Sequence, residues 1–362
     1  MHKNLVGGLC RAFIGIVLLT LAAAGLFIVR AQTSLQATLT PTVIINGPLG
    51  SLQQVQYSTN VSDPNSWTPL SVVRMDNTNK PFFDTSATPG PQRFYRTMLM
   101  GVVDTNLVWI PPGSFIMGSP TNELGRFQTE GPLTPVTLTS GFLMGRYEVR
   151  AVEFLVYMTN YLSNHTTNGY PDVSKEPAYS VLWSDATNYC GLRTAYEQSQ
   201  GMIPTDWAYR LPTEAEWKYA CRAGTTTPFY FGQEIRNDAV RADAWFNGAQ
   251  PFPTNLVAIG PVSPTLWTNV DAFGPNAFGL YNMLGNEPEW CLDSSLGITP
   301  AAYAGTAVTN PFTGVTGNYA VYRGGGFLSP GKECRSGSRR STGKDIGVDI
   351  GFRVVLAPTN TP

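Results

Sequence analysis

The stretch Gly279-Leu280-Tyr281-Asn282-Met283-Leu284-Gly285-Asn286-Glu287-Pro288-Glu289-Trp290 decides how this chain is read. Glycine, proline, paired amides and paired carboxylates crowd into it, a composition that suits a tight loop better than a helix or a strand. Ca²⁺ takes about six to eight oxygens at about 2.3–2.6 Å from carboxylates, amides and carbonyls, and one glycine-containing loop can supply them. The Asn282 to Glu289 segment has that composition. The bland alternative is that Glu289 pairs with an arginine and Asn282 caps a turn.

Upstream of this loop three helices are expected. Ala151 to Leu162 spaces Phe154, Met158, Tyr161 and Leu162 on one face, a core-facing stripe. A second helix follows Trp183, with Ser184 as its candidate N-cap and Ala186, Tyr189 and Cys190 facing inward. The third has the clearest local signal. In Arg210-Leu211-Pro212-Thr213-Glu214-Ala215-Glu216-Trp217, Thr213 and Glu216 fit a capping box, so Glu214 and Glu216 read as cap and dipole residues before they read as an acid–base pair. Trp217, Ala220 and Cys221 then share a buried face. Between Pro41 and Met100 the texture is different: Thr42–Ile45, Gln54–Tyr57, Leu70–Val73, Pro81–Phe83 and Arg93–Tyr95 are short strand-like runs separated by turn formers. The expected organisation is a small all-β, antiparallel sandwich-like module at 35–102 with no catalytic constellation, followed by a loop-rich α+β domain at 103–358.

The first 31 residues read as a signal peptide, with Lys3 and Arg11 ahead of an apolar run from Ala12 to Val29 and a small-residue pattern at Val29-Arg30-Ala31. The chain is therefore expected to be exported, and to be membrane-bound only if that segment stays uncleaved. Its 24 basic and 25 acidic residues cancel, so no global field favours nucleic acid. Cleavage leaves Cys190, Cys221, Cys291 and Cys334, too far apart for a zinc knuckle but open to three disulfide pairings. With His165 as the sole histidine beyond the signal, a multi-histidine iron or zinc site is excluded.

Trp109-Ile110-Pro111-Pro112-Gly113-Ser114-Phe115-Ile116-Met117-Gly118, Tyr147-Glu148-Val149, the Arg210 to Cys221 helix, the Gly279 to Trp290 loop, and Arg323-Gly324-Gly325 through Gly351-Phe352-Arg353 stand in one order. Together, over about Val108 to Leu356, they resemble the formylglycine-generating enzyme, or sulfatase-modifying factor, family. The resemblance implies a compact α+β, C-type-lectin-like fold stabilised by calcium. It also implies members that use Cu⁺, oxygen and two cysteines to turn a sulfatase cysteine into formylglycine. Matched to the family motif, Asn282 and Glu289 would give calcium side-chain oxygens, and Gly285 and Glu287 would give carbonyls. Pro288 stands where the family mostly has tryptophan. In a second calcium loop Asp243 would give a carboxylate and Ala244 a carbonyl; its other ligands belong to the stretch before Val270 and cannot be placed.

The copper site departs from the pattern. Ser329 stands at the first copper cysteine, and Gly326 at the active-site serine. Counted without gaps, Cys334 falls at the second copper position; aligned instead on Cys334-Arg335-Ser336-Gly337-Ser338-Arg339 it is a scaffold residue, the reading favoured here. In the oxidising members, the positions of Cys190 and Cys221 pair with cysteines matching Val354 and Ser336, so a Cys221–Cys334 disulfide is the substitute expected. Two functions follow. One is a binding module presenting Phe327, Lys332, Glu333, Arg335, Arg339 and Arg340 to an exported protein, peptide or glycan, unless Arg335 and Arg353 pair with carboxylates such as Asp271 or Asp293. The other is a copper oxidase needing reduced Cys334 and a further soft ligand such as Cys291 or a methionine.

Overall fold

The computed structural model describes residues 41–47, 51–63, 66–75, 77–84, 86–87, 92–102, 106–159, 174–236, 243–248, 258–259, 267–295, 305–347 and 349–361. The signal-peptide reading and His165 lie outside them. The early strand-like runs are strands: Thr42–Asn46 pairs antiparallel with Asn79–Phe83, and Ser51–Ser58 lies between Thr68–Arg74 and Phe94–Val102. Ile45, Val55 and Met75 form a small core with Leu70, Val73 and Phe82 packed on it, and Ser51–Ser58 otherwise buries polar side chains, Ser51, Gln53, Gln56 and Ser58.

Beyond residue 106 strands are many and helices few. One sheet runs in the order Trp207–Arg210, Val355–Pro358, Phe142–Gly145, Leu107–Ile110, so the last strand of the chain is inserted between early ones. A second holds Glu289–Ser294, Tyr319–Arg323 and Arg340–Gly343, and a third holds Val308–Thr309, Thr134–Leu138 and Gly113–Met117. Two apolar cores fill the space around them, one around Trp217, Phe246 and Met283, the other around Trp290, Tyr189 and Phe352.

The helices correct two expectations. α1 covers Ala151–Tyr157 and stops short of Leu162: Met158 leaves helical geometry at φ −117°, and Tyr161 and Leu162 lie outside the described residues. α2 covers Trp183–Ser199 with Leu182 at its N-cap, so Ser184 sits inside the first turn and caps nothing. Ala186, Tyr189 and Cys190 face inward as the spacing requires. α3, Glu214–Arg222, forms the capping box read from the sequence. The Glu216 amide donates to Thr213 Oγ1 at 3.2 Å, and the Thr213 amide donates to Glu216 Oε2 at 2.8 Å. All nine of its residues are buried, which makes it a central helix rather than a surface one.

Candidate functional site

The closing segment, Arg323 to Arg353, folds around four buried arginines, and each finds a carboxylate. Arg323 and Arg339 both engage Glu214 Oε1, the latter at 2.8 Å. Arg335 bridges Glu123 and Glu130, each at 2.5 Å. Arg353 forks onto Glu289, with Nε at 2.6 Å and Nη2 at 2.5 Å. Burial raises the carboxyls of Glu214 and Glu130, but the guanidinium partners outweigh it and hold both below the usual range. Arg335, Arg339 and Phe327 are therefore interior, not part of a presented face, and Asp271 and Asp293 serve others. Asp271 pairs with Lys175 at 2.7 Å, and Asp293 accepts from the amides of Glu214 and Thr313. Of the residues expected on a binding face, Lys332, Glu333 and Arg340 remain half-buried at the surface. Glu214, assigned to the helix dipole from sequence, is in fact a buried counterion; the arginines spaced through Arg323 to Arg339 were the signal for it.

The departures from the copper pattern meet at one wall. Gly324 and Gly325 have φ of 94° and 65°, which glycine adopts without strain. A Cβ on Gly325 would lie 2.8 Å from Cys334 Sγ, so that thiol sits directly behind the glycines, fully buried. A Cβ on Gly326 would lie 2.6 Å from Pro288 Cδ and 3.1 Å from the Asn286 carbonyl. Positions 326 and 288, both of which depart from the pattern the resemblance implies, are thus packed on each other: the proline ring occupies the space that a side chain at 326 needs. Ser329 folds back, its Oγ accepting from the Gly326 amide at 3.0 Å. It lines a cavity of about 210 Å³ together with Gly324 to Leu328, Pro288, Tyr322, Glu333, Arg340, Ile346 and Asp349. Cys334 does not line that cavity, and burial pushes its thiol pKa up, away from the thiolate that soft metals bind. Cys291 is also fully buried, with its thiol raised by the same cause.

The cysteines correct the disulfide expectation. All four described ones are free thiols, so Cys221 and Cys334 are not paired. Cys221 Sγ instead lies 3.6 Å from Ser336 Oγ, the position where the resemblance places its partner cysteine, and burial pushes the Cys221 thiol up to about 11. Cys190 and Val354 share one core in the same way.

At the Asn282 to Glu289 loop, both Glu289 oxygens are engaged, since Trp217 Nε1 donates to Oε2 at 2.7 Å alongside Arg353. Glu148, which the sequence reading quoted without giving it a role, organises the rest. Its carboxylate accepts from the side-chain amides of Asn282 and Asn286 and from the Glu287 amide. Burial and the charge of Glu289 push its pKa up to about 8. Asn282 Oδ1 and both carboxylate oxygens of Glu287 are buried without any hydrogen-bond partner. Unpartnered hard oxygens are the donors Ca²⁺ takes, and Asn282 and Glu287 offer them where Glu289, engaged by Arg353 and Trp217, does not; among the described residues no three His, Cys, Asp or Glu side chains are grouped as a metal site. Gly285 has φ of 80°, and a Cβ there would lie 2.5 Å from the Trp245 carbonyl oxygen, so only glycine fits. In the second loop the Asp243 carboxylate accepts from the Arg236 amide at 2.8 Å, and Ala244 is buried; residues 260–266 of its continuation lie outside the described residues.

Comparison with known proteins comes to the same place. Residues 102–358 match the model of the sulfatase-modifying factor enzyme 1-like domain. A formylglycine-generating enzyme of Thermomonospora curvata is 29% identical over 289 residues, covering 70% of this chain and 93% of its own. An inactive C-alpha-formylglycine-generating enzyme 2 of Bos taurus is 32% identical over 127 residues, 32% of each chain. Among solved structures, PvdO from Pseudomonas aeruginosa is 29% identical with a TM-score of 0.52, covering 69% of this chain and 93% of that one.

Proposed function

The chain belongs to the sulfatase-modifying factor family, and on that premise we propose that it is an exported, calcium-stabilised binding module rather than a copper oxidase. The observation that carries this reading is the packing of Gly326 on Pro288. It removes the active-site serine position sterically, while Ser329 supplies a hydroxyl where copper chemistry needs a thiolate. Cys334 offers one thiol, protonated, buried and outside the cavity. The ligand is an exported protein, peptide or glycan that meets the cavity walled by Gly324 to Ser329. The domain is read as C-type-lectin-like, and the two small sheets before residue 103 as a sandwich-like accessory module. Calcium, if bound, is held by Asn282 and Glu287 and supplies charge compensation for buried oxygens, not catalysis.

The test is direct. The full chain is loaded with Cu⁺ and incubated with oxygen and a Cys-x-Pro-x-Arg peptide, and the peptide is examined by mass spectrometry for an aldehyde. No product is expected from copper-loaded protein. Aldehyde formation that disappears in Cys334→Ser would overturn the reading and establish the oxidase. Calcium is tested separately by equilibrium dialysis, where Asn282→Ala and Glu287→Gln should each lower uptake and Ser329→Ala should not.

A further inference from the structure

The cavity beside Ser329 has a definite charge, and it comes from Asp349. Three kinds of charged group line the cavity. Arg323 and Arg339 share the Glu214 carboxylate beneath the floor, where the Asp293 carboxylate, accepting from the Glu214 amide, is the second negative group of the cluster. Arg340 and Glu333 neutralise each other across the rim, and Arg340 also lies 4.5 Å over the Phe127 ring. Asp349 is half-buried and, among the described residues, its carboxylate has no ion pair. The remaining lining is largely apolar: Pro288, Phe327 and Ile350 are buried, while Leu328 and Ile346 stand at the mouth, 48% and 50% exposed. Exposed aliphatic side chains flanking an unpaired carboxylate are the complement of an alkyl stem ending in a cation. At about 210 Å³ the cavity falls below the range of about 300–1,000 Å³ typical of whole small-molecule sites, so it holds one side chain.

We propose that this cavity binds a lysine or arginine side chain of a peptide segment, its stem between Leu328 and Ile346 and its cation on Asp349. This rests on the binding-module reading and names the chemistry of its ligand. A glycan lacks the cation, and an acidic peptide would meet Asp349 with like charge.

Calorimetric titration of the full chain with the methylamides of N-acetyl-lysine, N-acetyl-arginine and N-acetyl-norleucine tests it, norleucine keeping the stem without the charge. Saturable binding of the two basic probes and none of norleucine is expected. Asp349→Asn should weaken the basic probes about tenfold or more, the order of one hydrogen bond to a charged group. The variant should fold normally, because Asp349 has φ of 54° and asparagine tolerates that conformation as well as any residue but glycine. Ile346→Arg should abolish binding by placing a guanidinium at the cavity mouth. Equal binding of all three probes, no binding of the basic ones, or full affinity in Asp349→Asn would each overturn the proposal. Formylglycine production in the copper assay would instead sink the binding-module reading, so the two failures are distinguishable.

Discussion

Restoring the family's serine should damage this protein, and the damage should be relieved by removing a proline. The Cβ introduced by Gly326→Ser lies 2.6 Å from Pro288 Cδ, against about 3.5–4.0 Å for a relaxed carbon contact, an overlap of about 1 Å. Neither neighbour can yield. The Pro288 ring cannot rotate away, and its carbonyl accepts from the Gly351 amide at 2.9 Å. Asn286 is tied by its amide to Trp245, by its carbonyl to Phe327 at 2.7 Å, and by its side chain to Glu148 and Thr268. Overpacking at a site that cannot relax costs about 1–3 kcal/mol, and the tethering puts this one near about 3. For a domain of this size that lowers Tm by roughly 5–10 °C. Pro288→Ala alone should cost about 1–2 kcal/mol for the lost ring methylenes. In the double variant the contacts with the proline ring disappear and only the Asn286 carbonyl at 3.1 Å remains close, so the two costs should fail to add by about 1–2 kcal/mol. Urea unfolding of the four proteins, with unchanged m-values, measures that coupling. Additivity within about 0.5 kcal/mol would show that 326 and 288 are independent and would remove the steric basis of the functional reading.

Three other outcomes follow from the buried charges and thiols. Arg353→Met should destabilise by about 3–5 kcal/mol in chemical unfolding, because it leaves Glu289 buried with only Trp217 for a partner. Ser336→Cys should form a disulfide with Cys221, now 3.6 Å away, detectable by non-reducing peptide mapping and stabilising by about 2–4 kcal/mol. Burial and the charge of Glu214 raise Asp293 from 3.8 to about 6, so the folded state holds that proton more tightly than the unfolded one. Its contribution is complete below pH 3.8 and is lost as pH rises towards 6; subtracting the pH–stability curve of Asp293→Asn from that of the wild type should leave a difference that falls across this window.

Local signals were readable and distant ones were not. The α3 capping box is written within four residues, and the early strands are written as short runs between turn formers, so both were legible from the chain alone. Ser184 failed as a cap because the apolar run begins a residue earlier, and Leu182 takes the turn without a side-chain bond. That the closing arginines need buried carboxylates was foreseeable; which ones was not. Glu123 and Glu130 lie more than 200 residues from Arg335, and only the fold brings them there. Glu148 escaped notice for the same reason: its partners Asn282 and Asn286 are over 130 residues away. The clash between positions 326 and 288 was visible in sequence only as two separate departures.

The ion pairs also explain how a segment can be fixed as scaffold yet free in chemistry. Arg323, Arg335, Arg339 and Arg353 are buried; removing Arg335 or Arg353 leaves its carboxylates uncompensated at about 3–5 kcal/mol, a large share of an ordinary domain's stability, whereas Arg323 and Arg339 share Glu214. Arg323 borders the cavity, but the other three do not line it: Arg335 reaches Glu123 and Glu130, Arg339 reaches Glu214, and Arg353 reaches Glu289. Gly326 and Ser329 stand between these anchors, and no buried carboxylate is satisfied by either of them. A substitution at 326 or 329 is therefore judged by local packing alone, and at 326 that packing is the Pro288 ring. The arginine pairs thus hold the outline of the fold, while positions 326 and 329, tied to none of those pairs, can vary without loss of it.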